Sequence, residues 1–254
     1  MHILELWQYP IKGFGGSRAN SAMLAANGYF PDDRHFAIST GGHKIANAEP
    51  GAWFPKAHFL QLMSHEILAK YDCQYRTDGP KPLLELCYQG KRCLSINPDS
   101  ENGRRQFEDF IAHNLSEHLH GQPRLMVKNN QAYSDQASAL ISIASCASIA
   151  NFANATGTKP DSRRFRINVI VHTDKDFDEV DMIGQTFQCG EVLLKVQEPI
   201  GRCAAINVDP ETSQRSDLDY VQFMKREFGH SNLGVFARVI KGGKIKVGDQ
   251  VHAT

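Results

Sequence analysis

The sequence lacks an excess of charge of either sign. Its 254 residues include 28 Lys and Arg against 28 Asp and Glu, so the formal net charge at pH 7 is zero. Proteins that bind nucleic acid usually carry a basic stripe facing the phosphate backbone. The charge balance therefore argues against a nucleic-acid partner and favours a small-molecule one.

Long apolar runs and export signals are also missing. The longest uncharged run, residues 136–158, is interrupted by six Ser and Asn residues, whereas a membrane span needs about 20 consecutive apolar residues. Residues 1–13 show no basic region followed by an apolar core and a cleavage site. We therefore expect no membrane association and a cytoplasmic location.

Motifs for structural zinc and for electron transfer are absent as well. The six cysteines form neither C-x-x-C nor the C-x₄-C-x₂-C spacing of a plant-type iron–sulfur domain. The dinucleotide fingerprint G-x-G-x-x-G does not occur. An oxidoreductase with this sequence would need electrons from an external partner.

What the sequence does contain is a series of short segments rich in β-branched and aromatic residues, which predict a strand-dominated chain. Glycine-containing pairs between such segments predict hairpins at Gln89–Gly90, Cys189–Gly190 and Gly242–Gly243. The predicted strands cover residues 2–8, 35–40, 67–77, 83–89, 91–97, 124–129, 166–173, 186–198 and 234–252.

Three helices are predicted among these strands. Apolar residues spaced by three and four favour a helix over about 101–120, and two more are expected from a Ser142 cap to Gly157 and from Ser216 to Gly229. The acidic stretch 176–181 predicts a solvated loop. The fold class is β-rich α+β, with an N-terminal β-rich part, 1–125, packed closely against a C-terminal part, 126–254.

Cys203 is the residue with the clearest chemical context. It follows Gly201 and Arg202 and precedes an Asp209–Pro210 turn. A neighbouring cation favours the thiolate, which is the form that attacks and that binds metals. The alternative interpretation is a small buried thiol at a strand end.

The surrounding segment, 198–219, resembles the signature of the MOSC family, named after the C-terminus of molybdenum cofactor sulfurase. The N-terminal segment resembles the β-barrel part that precedes MOSC in mitochondrial amidoxime-reducing components and bacterial hydroxylaminopurine-detoxifying proteins. The resemblance implies a MOSC-type β-barrel with packed helices over 126–254, preceded by a β-barrel-like domain over 1–125. The further matching segments are 9–13, 33–34, 140–145, 165–171 and 243–251.

The resemblance also implies a bound molybdenum cofactor, Mo-molybdopterin. Cys203 matches the catalytic metal ligand, and a thiolate suits a soft, redox-active metal. The phosphate and polar pterin of the cofactor require cations and hydrogen-bond donors. The positions that match cofactor contacts are Lys12, Gly13, Arg34, Ser142, Ser145, Arg166, Asn168 and Arg202.

Each contact residue also has a structural interpretation. Lys12 and Arg34 would be surface charges, Arg166 would pair with a nearby acid, and Ser142 would cap a helix. Gly13 replaces a small hydroxyl residue of the amidoxime reducers, so a backbone N–H would serve as the donor there.

The implied activity is reduction of N-hydroxylated compounds, such as hydroxylaminopurines and amidoximes, with electrons from a ferredoxin-type or flavin reductase partner. An alternative is a cofactor or sulfur carrier that uses a Cys203 persulfide without reducing anything. A third is an interaction module that has lost its cofactor.

Overall fold

The computed structural model describes residues 1–42, 56–128, 132–134, 136 and 138–254. Its helices are α1 Glu101–Asn114, α2 Cys146–Thr156, α3 Asp178–Asp181 and α4 Tyr220–Phe228. Its strands are β1 His2–Gln8, β2 Ser17–Ala19, β3 Ser21–Leu24, β4 Phe36–Ile38, β5 Tyr71–Arg76, β6 Leu83–Tyr88, β7 Lys91–Ile96, β8 Leu125–Val127, β9 Ile141–Ser145, β10 Val169–His172, β11 Thr186–Cys189, β12 Val192–Gly201, β13 Asn232–Lys241, β14 Gly243–Lys246 and β15 Val251–Ala253. The predicted β-rich α+β class is confirmed.

The largest sheet has eight strands in the order β15-β11-β12-β13-β9-β10-β1-β2. Among the described strands of this sheet only β9 and β10 pair in parallel, and α2 supplies the crossover that a parallel pair requires. The sheet curls, because an isolated bridge joins His2 to Gln250 and the Ile3 N–H donates to the Asp249 carbonyl at 2.9 Å. Within the described residues no continuous ladder closes it into a barrel.

Apolar cores lie against both faces of this sheet, although the second face of β12 is exposed at Lys195 and Gln197. Alternate residues of β12, namely Val192, Leu194 and Val196, point into one apolar core together with residues of β13. The opposite face is covered by α2 and α4, whose Phe152 and Met224 are buried against it.

A second core lies between α1, the β5-β6-β7 sheet and the β4-β8 pair. The predicted division at residue 125 stays a prediction. β1 pairs with β10 and β3 pairs with β14, whereas β2 pairs with β1 and β8 pairs with β4. The chain thus crosses between the two cores at residues 9–16 and again at 25–36.

Two of the three predicted hairpins are confirmed. Gln89 and Gly90 both have positive φ, 50° and 75°, and join β6 to β7 as a two-residue turn. The turn after Cys189 joins β11 to β12. The hairpin at Gly242–Gly243 is wrong, because β14 turns away from β13 and pairs with β3.

The predicted helices exist, but two of their starts are wrong. Ser142 lies inside β9, and Ser145 caps α2 instead, by accepting a hydrogen bond from the Ser148 N–H. The third helix begins after Asp219 rather than Ser216. α1 ends at Asn114, and a 3₁₀ turn, Ser116–His118, follows it.

Candidate functional site

A cavity of about 270 Å³ lies between the helix-covered face of the large sheet and the second core. Its walls come from the crossing segments, from β9, from the chain before β10 and from the chain after β12. Eight of the nine predicted site residues line it, and these are Lys12, Gly13, Arg34, Ser142, Arg166, Asn168, Arg202 and Cys203. Ser145 does not line it.

The lining is strongly cationic although the whole chain is neutral. Its described side chains include a single acid, Asp33, against five cations, which are Lys12, Arg34, Arg164, Arg166 and Arg202. Charges of one sign in a concave, poorly solvated site reinforce one another and attract a ligand of the opposite sign. This cavity is therefore built for an anion.

Arg34 and Arg166 approach each other across the cavity wall. Arg34 forms an ion pair with Asp33, and its Nη2 donates to the Arg166 carbonyl at 3.0 Å. Arg166 donates to the carbonyl oxygens of Phe14 and Ile11, and none of the ion pairs among the described residues involves it. The alternative in which Arg166 pairs with an acid is therefore wrong.

The backbone of both arginines is left-handed, with φ of 51° at Arg34 and 54° at Arg166. A side chain in this region costs about 1–2 kcal/mol, and such residues concentrate at functional sites. Burial, and then repulsion from Arg34, lowers the pKa of Arg166 to about 10. The fold thus holds this guanidinium in place against both backbone strain and desolvation.

Arg202 immediately precedes Cys203 and is tied to the backbone. Its Nε donates to the Leu233 carbonyl and its Nη1 to the Phe165 carbonyl, both at 2.8 Å. Burial lowers its pKa to about 9. These bonds fix the backbone on which the thiol is carried.

Cys203 is exposed at the cavity wall and starts the 3₁₀ turn Ala204–Asn207. The alternative of a buried packing thiol is therefore wrong. Arg164, which sequence analysis missed, holds the following chain by donating to the carbonyls of Ile206 and Val208, each at 3.0 Å, and by pairing with Asp209 at 2.9 Å.

Lys12 and Gly13 form another part of the wall. The Lys12 Nζ donates to the Tyr133 carbonyl at 3.0 Å. Gly13 has φ of 87°, and a Cβ there would lie 3.0 Å from Leu68 Cδ1 and 3.2 Å from the Leu60 carbonyl oxygen. None of the described residues accepts a hydrogen bond from the Gly13 N–H, so this donor is available to a ligand.

Ser142 and Asn168 bind each other within the wall. The Ser142 hydroxyl donates to Asn168 Oδ1 at 2.7 Å, and the Asn168 N–H donates to the Ser142 Oγ at 2.9 Å. Asn168 Nδ2 also reaches the Trp7 carbonyl at 3.3 Å. These hydrogen bonds connect β9, the residue before β10, and β1, and they hold the three strands together where they form the cavity wall.

Ser145 is fully buried behind the wall, where its hydroxyl caps α2 and lies 2.8 Å from the Ser148 hydroxyl. That network continues to Glu179, whose carboxylate accepts from the Ser148 hydroxyl at 2.7 Å and from the Gly234 N–H at 3.1 Å. Residues 178–181 form α3 and Glu179 is fully buried, so the solvated loop predicted for 176–181 is wrong over this helix. The Glu179 carboxylate also supplies a negative charge near Arg202.

Two kinds of feature are absent from the described part of the chain. No three His, Cys, Asp or Glu side chains there are grouped as a metal site. No described helix has the length and apolar character needed to cross a membrane.

Comparisons with known proteins identify relatives of the C-terminal part. Residues 116–252, more than half of the chain, match the MOSC domain. Over 73 residues, 29% of this chain, the sequence is 33% identical to molybdenum cofactor sulfurase from Drosophila grimshawi, of which the match covers 9%.

Two solved structures are similar to this one. YiiM from Geobacillus stearothermophilus is 18% identical, with 45% of this chain and 53% of that chain covered and a TM-score of 0.36. The YuaD protein from Bacillus subtilis is 13% identical, with 98% of this chain and 93% of that chain covered and a TM-score of 0.45. The MOSC domain is associated with molybdenum cofactor binding or sulfuration. On the match over residues 116–252, this chain belongs to the MOSC domain family.

Proposed function

We propose that the cavity binds the molybdenum cofactor and that the protein reduces N-hydroxylated compounds there. The observation that carries the proposal is the composition of the cavity lining: five cationic side chains and an exposed thiol in a chain with no net charge. Molybdopterin has a phosphate at one end and sulfur ligands for a metal at the other, and it needs both kinds of partner.

The phosphate end fits the part of the cavity formed by Arg34, Arg166, Lys12 and the Gly13 N–H. A guanidinium has five N–H groups, and the bonds described above use two each for Arg34 and Arg166. Donors therefore remain for a phosphate. Arg166 is buried, so water screens its charge poorly, and an anion placed beside it is attracted more strongly than by an exposed arginine.

The metal end fits Cys203. Its thiol is exposed to the cavity, while Arg202 and Arg164 hold the backbone on either side of it. A thiolate is a suitable ligand for molybdenum. When bound, the cofactor supplies a metal that accepts an oxygen atom from nitrogen.

The proposed reaction converts R–NHOH, two electrons and two protons into R–NH₂ and water. The N–O bond breaks, nitrogen is reduced, and the oxygen leaves as water. Electrons come from an external partner of the ferredoxin or flavin reductase type, which docks where Cys203 is exposed. Hydroxylaminopurines and amidoximes are the substrate classes that we propose.

A sulfur carrier is the second candidate, and the exposure of Cys203 favours it, as does the relative named molybdenum cofactor sulfurase. In that case Cys203 would hold a persulfide. The two candidates differ in what the purified protein contains and in whether it turns over.

The test uses protein purified from cells that make the cofactor, with reduced methyl viologen as the electron donor and 6-hydroxylaminopurine as substrate. We expect adenine to form only when the donor is present, and Cys203→Ser to abolish it. Cys93→Ser is the matched control, since Cys93 is exposed on β7 and does not line the cavity. A Cys203 persulfide without molybdenum or turnover would instead establish the carrier.

A further inference from the structure

Tyr9 lies directly behind the two arginines of the phosphate end. Its ring is buried, and the guanidinium carbons of Arg34 and Arg166 lie 5.0 and 4.5 Å from the ring centroid. The backbone reinforces this arrangement, because the Tyr9 N–H donates to Asp33 at 3.1 Å and the Arg34 N–H donates to the Tyr9 carbonyl at 2.8 Å.

The ring offsets a repulsion that the site creates. Arg34 and Arg166 are like charges, and each destabilises the other where water is excluded. The face of an aromatic ring carries negative electrostatic potential and attracts a cation within about 6 Å of its centroid. One ring thus stabilises both guanidiniums without neutralising either. Arg34 also pairs with Asp33, whereas no ion pair among the described residues involves Arg166, so the group as a whole keeps a positive charge for a ligand.

The hydroxyl of Tyr9 does not contribute to this. It is buried and has no hydrogen-bond partner among the described residues. An acidic side chain at the same place would pair with the arginines and cancel the charge that an anion needs, whereas the ring does not. The ring face, and not the hydroxyl, is the part of Tyr9 that the site uses.

We propose that Tyr9 is a positioning residue: its ring face holds Arg34 and Arg166 in the geometry that binds the anionic end of the ligand. The proposal rests on the proposed function, because the ligand is taken to be the molybdenum cofactor. Tyr9 acts through the two arginines and does not line the cavity itself.

The experiment compares Tyr9→Phe, Tyr9→Leu and Tyr71→Leu with the wild type, all purified from cells that make the cofactor. Tyr71 is the matched control, since it is a buried tyrosine with no guanidinium over its ring among the described residues. The readout is the dissociation constant of molybdopterin, from pterin fluorescence during dilution, beside the melting temperature of the apo protein.

We expect Tyr9→Phe and Tyr71→Leu to retain pterin as the wild type does. Tyr9→Leu should bind it about tenfold more weakly, which corresponds to about 1.4 kcal/mol. Ring-fluorinated phenylalanine at position 9 provides a second measurement, because fluorine weakens the attraction for cations while the ring keeps its shape. Affinity should fall as fluorines are added, with no drop in the apo melting temperature.

Three outcomes would overturn the positioning role: unchanged affinity in Tyr9→Leu and the fluorinated series, an equal loss in Tyr9→Phe, or an equal loss in Tyr71→Leu. Failure of the proposed function looks different, since the wild type itself would then contain no molybdopterin.

Discussion

Glu179 is fully buried, and replacing it with alanine should destabilise the protein strongly. Its carboxylate accepts hydrogen bonds from the Ser148 hydroxyl and the Gly234 N–H, at 2.7 and 3.1 Å. Hydrogen bonds to a charged group contribute about 1.5–3 kcal/mol each. The substitution also removes a negative charge near Arg202. Together these losses predict a decrease of about 3–5 kcal/mol in the free energy of unfolding.

Urea unfolding at pH 7, followed by circular dichroism, measures this change. Glu179→Gln keeps the shape and one acceptor oxygen, so it should cost less than alanine. Asp181→Asn is the control, since Asp181 is exposed in the same helix and its neutralisation should change stability by less than about 0.5 kcal/mol. A loss below about 1 kcal/mol in Glu179→Ala would refute the role given to this carboxylate.

Three further predictions follow from the cavity walls. Arg166→Gly should be about 1 kcal/mol more stable than Arg166→Ala, because glycine adopts the positive φ of 54° without the steric cost of a Cβ. Equal stabilities of the two variants in urea unfolding would show that the backbone at this position is not strained. Gly184→Ala should lower the free energy of unfolding by about 1 kcal/mol, because of its positive φ alone. Gly13→Ala should lower it by at least about 1 kcal/mol more, because only its Cβ meets neighbours at 3.0–3.2 Å. Equal losses would show that the neighbours of Gly13 move aside to accommodate the Cβ. Anion binding should raise the pKa values of Arg202 and Arg166 from about 9 and about 10. Sulfate does not titrate between pH 7 and 10, so its binding to the apo protein should take up protons at pH 9.5, close to these pKa values, but not at pH 7.5. Calorimetry in buffers of different ionisation enthalpy measures that uptake. Binding at pH 9.5 without proton uptake would contradict the prediction.

Local patterns predicted much of the fold. The Gln89–Gly90 turn and the helix stop at Gly229 depend on the conformational freedom of residues near the turn, so sequence alone identifies them. The pairing of β14 with β3 depends on contacts more than 200 positions apart in the chain, and the glycines at 242–243 carry no information about it.

The local pattern also could not decide which serine caps α2. Ser142 and Ser145 are both plausible caps by type, but the apolar residues around Ser142 continue a strand that is buried on both faces, so the helix starts one turn later. Glu179 lies among acidic residues, a pattern that predicts a solvated side chain. Its burial depends instead on Ser148 and Gly234, which are distant in sequence.

The predicted site residues came from the family resemblance, and the structure brings all of them except Ser145 together in the cavity lining. Arg164 and Tyr9 were missed for a physical reason. Both act on neighbours, through backbone carbonyls and through a ring face, and neither partnership leaves a spacing pattern in the sequence.

The central claim is that Cys203 and the cationic wall hold a molybdenum cofactor. Its most direct test is the molybdenum and pterin content of the wild type, Cys203→Ala and Arg166→Ala, each purified from cells that make the cofactor. The account predicts about one molybdenum and one pterin per wild-type chain, molybdenum lost from Cys203→Ala with the apo melting temperature unchanged, and pterin lost from Arg166→Ala. Full molybdenum occupancy in Cys203→Ala, or none in the wild type, would contradict it.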